Sequence, residues 1–494
     1  MSNAGAPPLA NKVMRSAATI AGGRFLIRLM GLVNTLVVAR LLTPEDFGLI
    51  AIGIVIMQIL ENVSEVSVSR TVVKFRDAGR DIFDTLFSFS LCKGIFVLAV
   101  MAGAAPLASH FYGDDRLGLI FVALGGVALI RSFRNPRFYE FERDLDFSRE
   151  LFVGVVSKIV MVGVSVGIAF TFRTYWAIIL GLAGGIAVEV LLSFLAKPYL
   201  PRLSFSAFRK LVGFTGWVSG ASALIAVNNK LGPLILGRIV GTAPTGAYYV
   251  GQQLAGLVGR ELAAPIVRAI YPGLSSMQGQ PLRMRHAYLR GAEAMAALVA
   301  PAAFGLGFVA NDVTTLVLGE GWSMAALVLS IVTPAYGLVA VVSGVQGLAM
   351  ASGRVRPLFL RELAFLFIQI PILIISALLY GLEGAIWGSA ISSLIYVGLQ
   401  ARLYAITAED HWWRPFWAAR RGLLALLPMS AWFLLVRPAV TQLETLPLIV
   451  RLVTDSGIGA AIYGSSLLVL WLMESRPQGF ETQCLGLLRG RRAE

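Results

Sequence analysis

Charge is scarce in this sequence. Asp, Glu, Lys and Arg make up 14% of its 494 residues, against about 25% in a typical soluble domain. No stretch is both polar and long enough to form a soluble domain of its own. Only two cysteines are present, Cys92 and Cys484, too far apart to read as a disulfide framework or a zinc site. Three histidines, His110, His286 and His411, are scattered. There is no Gly-x-x-x-x-Gly-Lys-Ser/Thr loop for ATP and no His-Glu-x-x-His pair for zinc. The expectation is therefore no catalytic residue, no metal and no cofactor. The first 18 residues carry Lys12 and Arg15 but no separate apolar core or cleavage site, so they read as a retained tail rather than a removable signal.

What is abundant is hydrocarbon. The chain is 57% hydrophobic with a mean hydropathy of +0.75, and apolar runs of about 18–25 residues recur from end to end. Fourteen spans are expected, at 19–40, 47–69, 84–106, 117–133, 150–172, 176–196, 211–238, 246–272, 288–310, 324–350, 357–380, 384–406, 422–440 and 450–473. The fold class is an all-α integral membrane protein. The net charge of +14 sits in alternate loops beside the spans, which is the positive-inside pattern and not a nucleic-acid footprint. Arg131, Arg134, Arg137, Arg143 and Arg149 crowd one such loop, and Arg476, Arg489, Arg491 and Arg492 crowd the C-terminal tail. On that rule both termini are cytoplasmic.

The chain also repeats itself. Arg40 leads to Gly48 and Arg238 to Gly246 at the same spacing. Gly113 answers Gly319, and Arg149-Glu150-Leu151 answers Arg361-Glu362-Leu363, all in the same order. A six-span repeat has an even number of crossings, so both copies share one orientation. The expected organisation is a tail (1–18), an N-lobe (19–200, spans one to six), a C-lobe (201–410, spans seven to twelve), two extra helices (411–474) and a basic tail (475–494). Two like-oriented six-helix lobes around a central cavity are a transporter architecture.

Ionisable residues inside spans mark candidate sites, since a guanidinium in hydrocarbon costs at least about 2.5–3.5 kcal/mol. Arg24 and Arg28 share a face of span one, with Arg28 roughly 15 Å deep at 1.5 Å per residue. Either they meet an anionic substrate or they pair with span two, where Glu61 and Glu65 also share a face. Those acids read as counter-ions or as a coupling site. Lys93 lies midway along span three. Lys158, nearer an end, reads as snorkelling, and Glu189 as a partner of one of these lysines or of Lys197. Span seven carries Asn228-Asn229-Lys230 and then Gly232-Pro233, where a proline frees backbone groups that protein or a wet cavity must satisfy. Span eight carries Arg260, Glu261 and Arg268, with Arg260 the second-lobe counterpart of Arg28. Gly163 and Gly167 read as a helix-packing pair.

Four stretches resemble one family, the Wzx-type oligosaccharide flippases of the multidrug/oligosaccharidyl-lipid/polysaccharide exporter superfamily. They are Ala39 to Gly48 (ARLLTPEDFG), Glu142 to Phe147 (ERDLDF), Ile235 to Tyr248, and Leu318 to Trp322 (LGEGW). The likeness covers about residues 15–405. It implies two six-helix lobes around a cationic cavity lined by spans one, two, seven and eight. It implies movement of an undecaprenyl-diphosphate-linked oligosaccharide from the cytoplasmic to the periplasmic leaflet of a bacterial inner membrane. The product would be a surface polysaccharide such as exopolysaccharide, capsule or the O-antigen of lipopolysaccharide. A polysaccharide polymerase and a chain-length regulator would be partners beside the membrane lipids.

On this reading Arg24, Arg28 and Arg260 hold the diphosphate, with Lys230 and Lys93 as secondary cations. Asn228 and Asn229 face sugar. Glu61, Glu65 and Glu261 are the acids that could couple transport to an H+ or Na+ gradient or to membrane potential. Relatives often carry an acid in span seven where this chain has Lys230 and Gly232, a departure that weakens ion coupling there. A drug/cation antiporter of the same superfamily would want an anionic cavity instead. A membrane polymerase or ligase would want a long outer loop, and none is visible.

Overall fold

A computed structural model describes residues 9–63, 79–144, 147–206, 224–277 and 279–474. Glu65, the end of span two, the first part of span seven (211–223) and the basic C-terminal tail lie outside the described residues. So do the side chains of Arg24 and Arg268. Among the described residues every element is helical, and eight helices are long and apolar enough to cross a membrane. The protein is a multi-pass membrane protein.

The chain divides into two compact units. The first holds residues 1–219 with 241–246, and the second holds 220–240 with 247–494. In the first, α1 (Leu9–Leu41) is followed almost at once by α2 (Pro44–Val63). The Pro-Glu-Asp-Phe-Gly stretch forms the first turn of α2. The Thr43 N–H and hydroxyl donate to Asp46 Oδ2 at 3.0 and 2.8 Å, and the Asp46 N–H donates back to Thr43 Oγ1 at 3.3 Å. That is a reciprocal capping box with proline at the first helical position. Within this unit Gly48 and Gly246, matched by the repeat, lie against one another's segments. A Cβ on Gly48 would overlap the Thr242 carbonyl, and one on Gly246 the Pro44 carbonyl.

Among the described residues this unit has four more long helices: α3 (Arg80–Tyr112), α4 (Arg116–Ser132), α5 (Phe147–Phe172) and α6 (Trp176–Ala196). They pack as the pairs α3–α4 and α5–α6, with α1 against α5. Gly163 and Gly167 do not make the α5 contact, since open space faces both. The close approach comes from the other helix, where Gly181 and Gly185 of α6 rest on Ser165 and Met161.

The second unit contains α7 (Leu231–Ile239), the greater part of α8 (Thr242–Val258), α9 (Ala264–Ser276), α10 (Pro281–Phe308), α11 (Ala310–Leu318), α12 (Ser323–Val342), α13 (Val345–Ala351) and α14 (Val355–Ala408). The last is two helices joined at Tyr380–Gly381, where φ reaches +60° at the glycine. The chain folds back there and sets Gly384 and Gly388 against Ser376. Beyond it come α15 (Arg414–Ala418), α16 (Arg420–Ala431) and α17 (Leu448–Met473). Arg421 pairs with Glu293, Arg451 with Asp312, and the Tyr463 hydroxyl donates to the Ala296 carbonyl at 3.1 Å. These bonds fasten the two additional helices to α10 and α11.

Candidate functional site

A cavity of about 560 Å³ lies within the second unit. Its first wall is a helix break. A helical turn ends at Asn228, and α7 starts only at Leu231. Pro233 has no N–H to offer the carbonyl four residues back, so the ladder stops here. The Asn229 N–H still makes the regular four-back bond to Ile225 O at 3.1 Å, and the Lys230 N–H tightens to Val227 O, three back, at 2.9 Å. Asn228, Asn229 and Gly232 line the cavity from this break. Tyr248 and Gln252 come from α8, Tyr336 from α12, and Glu362, Gln369, Ser389 and Tyr396 from α14.

Glu362 anchors the polar wall. It is 1% exposed, and its neighbour Arg361 is 6% exposed. The Arg361 guanidinium pairs with the Glu362 carboxylate and donates to Gln400 Oε1 at 2.7 Å, with its central carbon 5.1 Å from the Tyr396 ring centroid. The Tyr396 hydroxyl donates to Glu362 Oε1 at 2.9 Å. Asn228 Nδ2 donates to Glu362 Oε2 at 3.0 Å and to the Glu362 backbone carbonyl at 3.1 Å. A buried charge persists only when paired and hydrogen-bonded, and here it is both. Across the cavity Gln252 Nε2 donates to the Tyr248 hydroxyl at 2.7 Å, which shares a 2.7 Å bond with Ser389 Oγ. Asn228 Oδ1 and Gln369 Oε1 are buried with no protein donor among the described residues. With its one carboxylate neutralised, the cavity offers amides, hydroxyls and aromatic faces, a set suited to a hydroxyl-rich ligand.

Of the residues singled out from the sequence, this cavity gathers Asn228 and Asn229. Lys230 and Glu261, both half-buried, and the exposed Arg260 belong to the same unit but not to the lining. Arg260 sits in a π-helical turn, Gly259–Ala263. Its guanidinium folds back over Gly256 and donates to the Gln253 carbonyl at 2.6 Å. Arg28, exposed, and Lys93, half-buried, belong to the first unit. Glu61 pairs there with Arg131 at 2.7 Å. Glu189 pairs with Arg134 at 3.0 Å, and Lys197 with Glu140, so the expected lysine partners of Glu189 give way to an arginine just past the end of α4. Lys158 is no snorkeller. Its ammonium lies 3.2 Å from Met161 Sδ and rests on Gly31, at the contact of α5 with α1.

Sequence reasoning missed the centre of the site. Arg361 and Glu362 entered only as a repeat match, although two ionisable residues in an apolar run are themselves a signal. Tyr248 with Gln252, and Ser389 with Ser393, are four apart and so share helix faces; that spacing could have found them.

A family model described as polysaccharide biosynthesis protein matches residues 37–327. The lipopolysaccharide biosynthesis protein WzxC of Escherichia coli K12 is 24% identical over 396 residues, 78% of this chain and 80% of WzxC. The succinoglycan biosynthesis transport protein ExoT of Rhizobium meliloti is 22% identical over 315 residues, 61% of this chain and 62% of ExoT. Among solved structures, the lipid II flippase MurJ in an inward closed conformation superposes with a TM-score of 0.66 at 13% identity, covering 90% of this chain and 98% of MurJ. The fold is thus one shared with MurJ, and both relatives are named for polysaccharide biosynthesis, ExoT as a transport protein. The chain belongs to the polysaccharide biosynthesis protein family.

Proposed function

We propose that this protein is a flippase. It carries an undecaprenyl-diphosphate-linked oligosaccharide from the cytoplasmic to the periplasmic leaflet of a bacterial inner membrane, by alternating access of two lobes (19–200 and 201–410), for surface polysaccharide assembly. Both termini face the cytoplasm in this scheme. A polymerase and a chain-length regulator take the product onward.

The observation that carries the reading is the cavity of the second unit, whose amides and hydroxyls match the hydroxyls of a sugar chain. Asn228 and Asn229 face sugar there. The diphosphate is assigned to Arg24, Arg28 and Arg260, with Lys230 and Lys93 as secondary cations, because arginine grips phosphate with a planar fork of donors. Glu61 is held by Arg131, which favours a structural role for it and leaves Glu65 and Glu261 as the acids to test for coupling. In a strain lacking its own copy, Arg28→Ala should insert at the normal level yet fail to restore surface polysaccharide. Normal polysaccharide in that strain would reject the diphosphate assignment.

A further inference from the structure

A second cavity, of about 490 Å³, opens in the first unit beside the start of α3 and the end of α6. Arg80, Phe83, Arg137, Pro198, Tyr199 and Leu200 line it. Arg137 is held between two rings, its guanidinium carbon 5.6 Å from the Phe83 centroid and 5.8 Å from that of Tyr199, with Nε 3.3 Å from Glu140. Arg80 donates from Nη2 to the Leu200 carbonyl at 3.1 Å, and its Nε stands 3.7 Å from Asp84. Nη1 of Arg80 and both terminal nitrogens of Arg137 have no protein acceptor among the described residues.

The nearby acids are already engaged. Buried Asp84 accepts from the Tyr199 hydroxyl and from the Arg202 N–H at 2.9 Å. Buried Glu140 is shared by Arg137, Arg143 and Lys197. One guanidinium held between two rings and a second tethered to the Leu200 carbonyl therefore present donors to one pocket, and a planar guanidinium can take phosphate bidentately.

The rim says which phosphate. Leu195 is 67% exposed, and the extended segment after it exposes Leu200 at 83% and Leu203 at 71%. Each such side chain left in water forgoes roughly 1.5–3 kcal/mol. A run of them beside arginines belongs at the junction of headgroups and acyl chains, where basic pockets between helices bind acidic headgroups. We propose that this pocket holds the phosphate of an anionic phospholipid, whose acyl chains lie along Leu195, Leu200 and Leu203.

The test is binding of phosphatidylglycerol to the full chain in phosphatidylcholine nanodiscs, read by native mass spectrometry, with inorganic phosphate as a separate arm. Wild type should retain phosphatidylglycerol in preference to phosphatidylcholine. Arg80→Ala with Arg137→Ala should weaken that retention about tenfold, whereas Arg356→Ala, which removes an exposed basic residue of the second unit, should not. Should the double variant fail to fold, Arg137→Gln alone should still lower retention. Equal retention of the two lipids by wild type, an equal loss in the Arg356 variant, or full displacement by inorganic phosphate would overturn the proposal.

Discussion

The two units spell the same Arg-Glu-Leu triplet and use it in opposite ways. In the first, Arg149 and Glu150 stand in the opening turn of α5. Arg149 is exposed and lies 5.2 Å over the Phe141 ring, and Glu150 is half-buried where the helix dipole favours an acid. In the second, Arg361 and Glu362 stand one turn further into α14 and are almost fully enclosed. That extra turn carries the same pair from a helix end into a low-dielectric interior. There the pair needs partners, and Gln400, Tyr396 and Asn228 supply most of them, with Arg361 Nε left buried and without an acceptor among the described residues. Position along the helix, rather than residue type, sets whether a charge is surface chemistry or the frame of a cavity.

The largest effect should come from breaking the buried copy. Glu362→Gln leaves the Arg361 guanidinium enclosed without its counter-charge and should destabilise the protein by about 3–5 kcal/mol. Glu150→Gln should change stability by about 0–1 kcal/mol. Unfolding midpoints in one detergent read the contrast. Adding Arg361→Met to Glu362→Gln should recover part of the loss, since a well-packed apolar replacement of a buried pair is often neutral. Equal losses from the two single variants would mean that burial does not separate the two triplets.

The fold was readable because hydrocarbon must be crossed by helices of a set length. Span lengths follow from that constraint, while loop charge follows from the positive-inside rule and the repeated Arg-to-Gly spacing is read directly off the sequence. The break before α7 was readable too, because Pro233 removes a donor whatever surrounds it. Partners across space were not readable. Nothing local in Glu189 says that Arg134 will reach it first, or that Lys158 will lie on Gly31, because those pairings depend on how α4, α5 and α6 pack. The Gly163/Gly167 pair misled for the same reason: small residues permit close approach without saying which helix makes it.

A middle-sized effect should follow from thinning the cavity wall. Asn228→Ala strands Glu362 Oε2 and removes a second donor from the Glu362 backbone carbonyl, and should cost about 1–3 kcal/mol. Tyr248→Phe, which removes the hydroxyl bonded to Ser389 and Gln252, should cost about 1 kcal/mol. If the cavity holds sugar, both variants should also transport less than their remaining folded fraction accounts for. Transport that merely tracks folded protein would return the cavity to a structural role.

The smallest contrast is between two loop acids and is best read through pH. Asp410 is pushed upward by burial, but the Tyr404 hydroxyl at 2.6 Å, the His411 N–H and the Arg285 and Arg414 guanidiniums outweigh that and hold it below the ordinary carboxylate value. Asp144 is also held low, chiefly by its 2.9 Å bond from Arg143, but its side chain is 51% exposed. A carboxyl whose value is lower in the folded state stabilises it above the unfolded value, near 3.9, and stops doing so as pH falls through the folded value. Asp410→Asn should therefore lose about 1 kcal/mol or less at pH 7 and converge with wild type below the folded value. Asp144→Asn should follow wild type throughout, because water screens its bond to Arg143 and its weaker attraction to Lys197. An Asp410→Asn deficit unchanged from pH 7 to pH 3 would mean that the loss came from packing, and that enclosure by several donors does not set the second unit's loop apart from the first's.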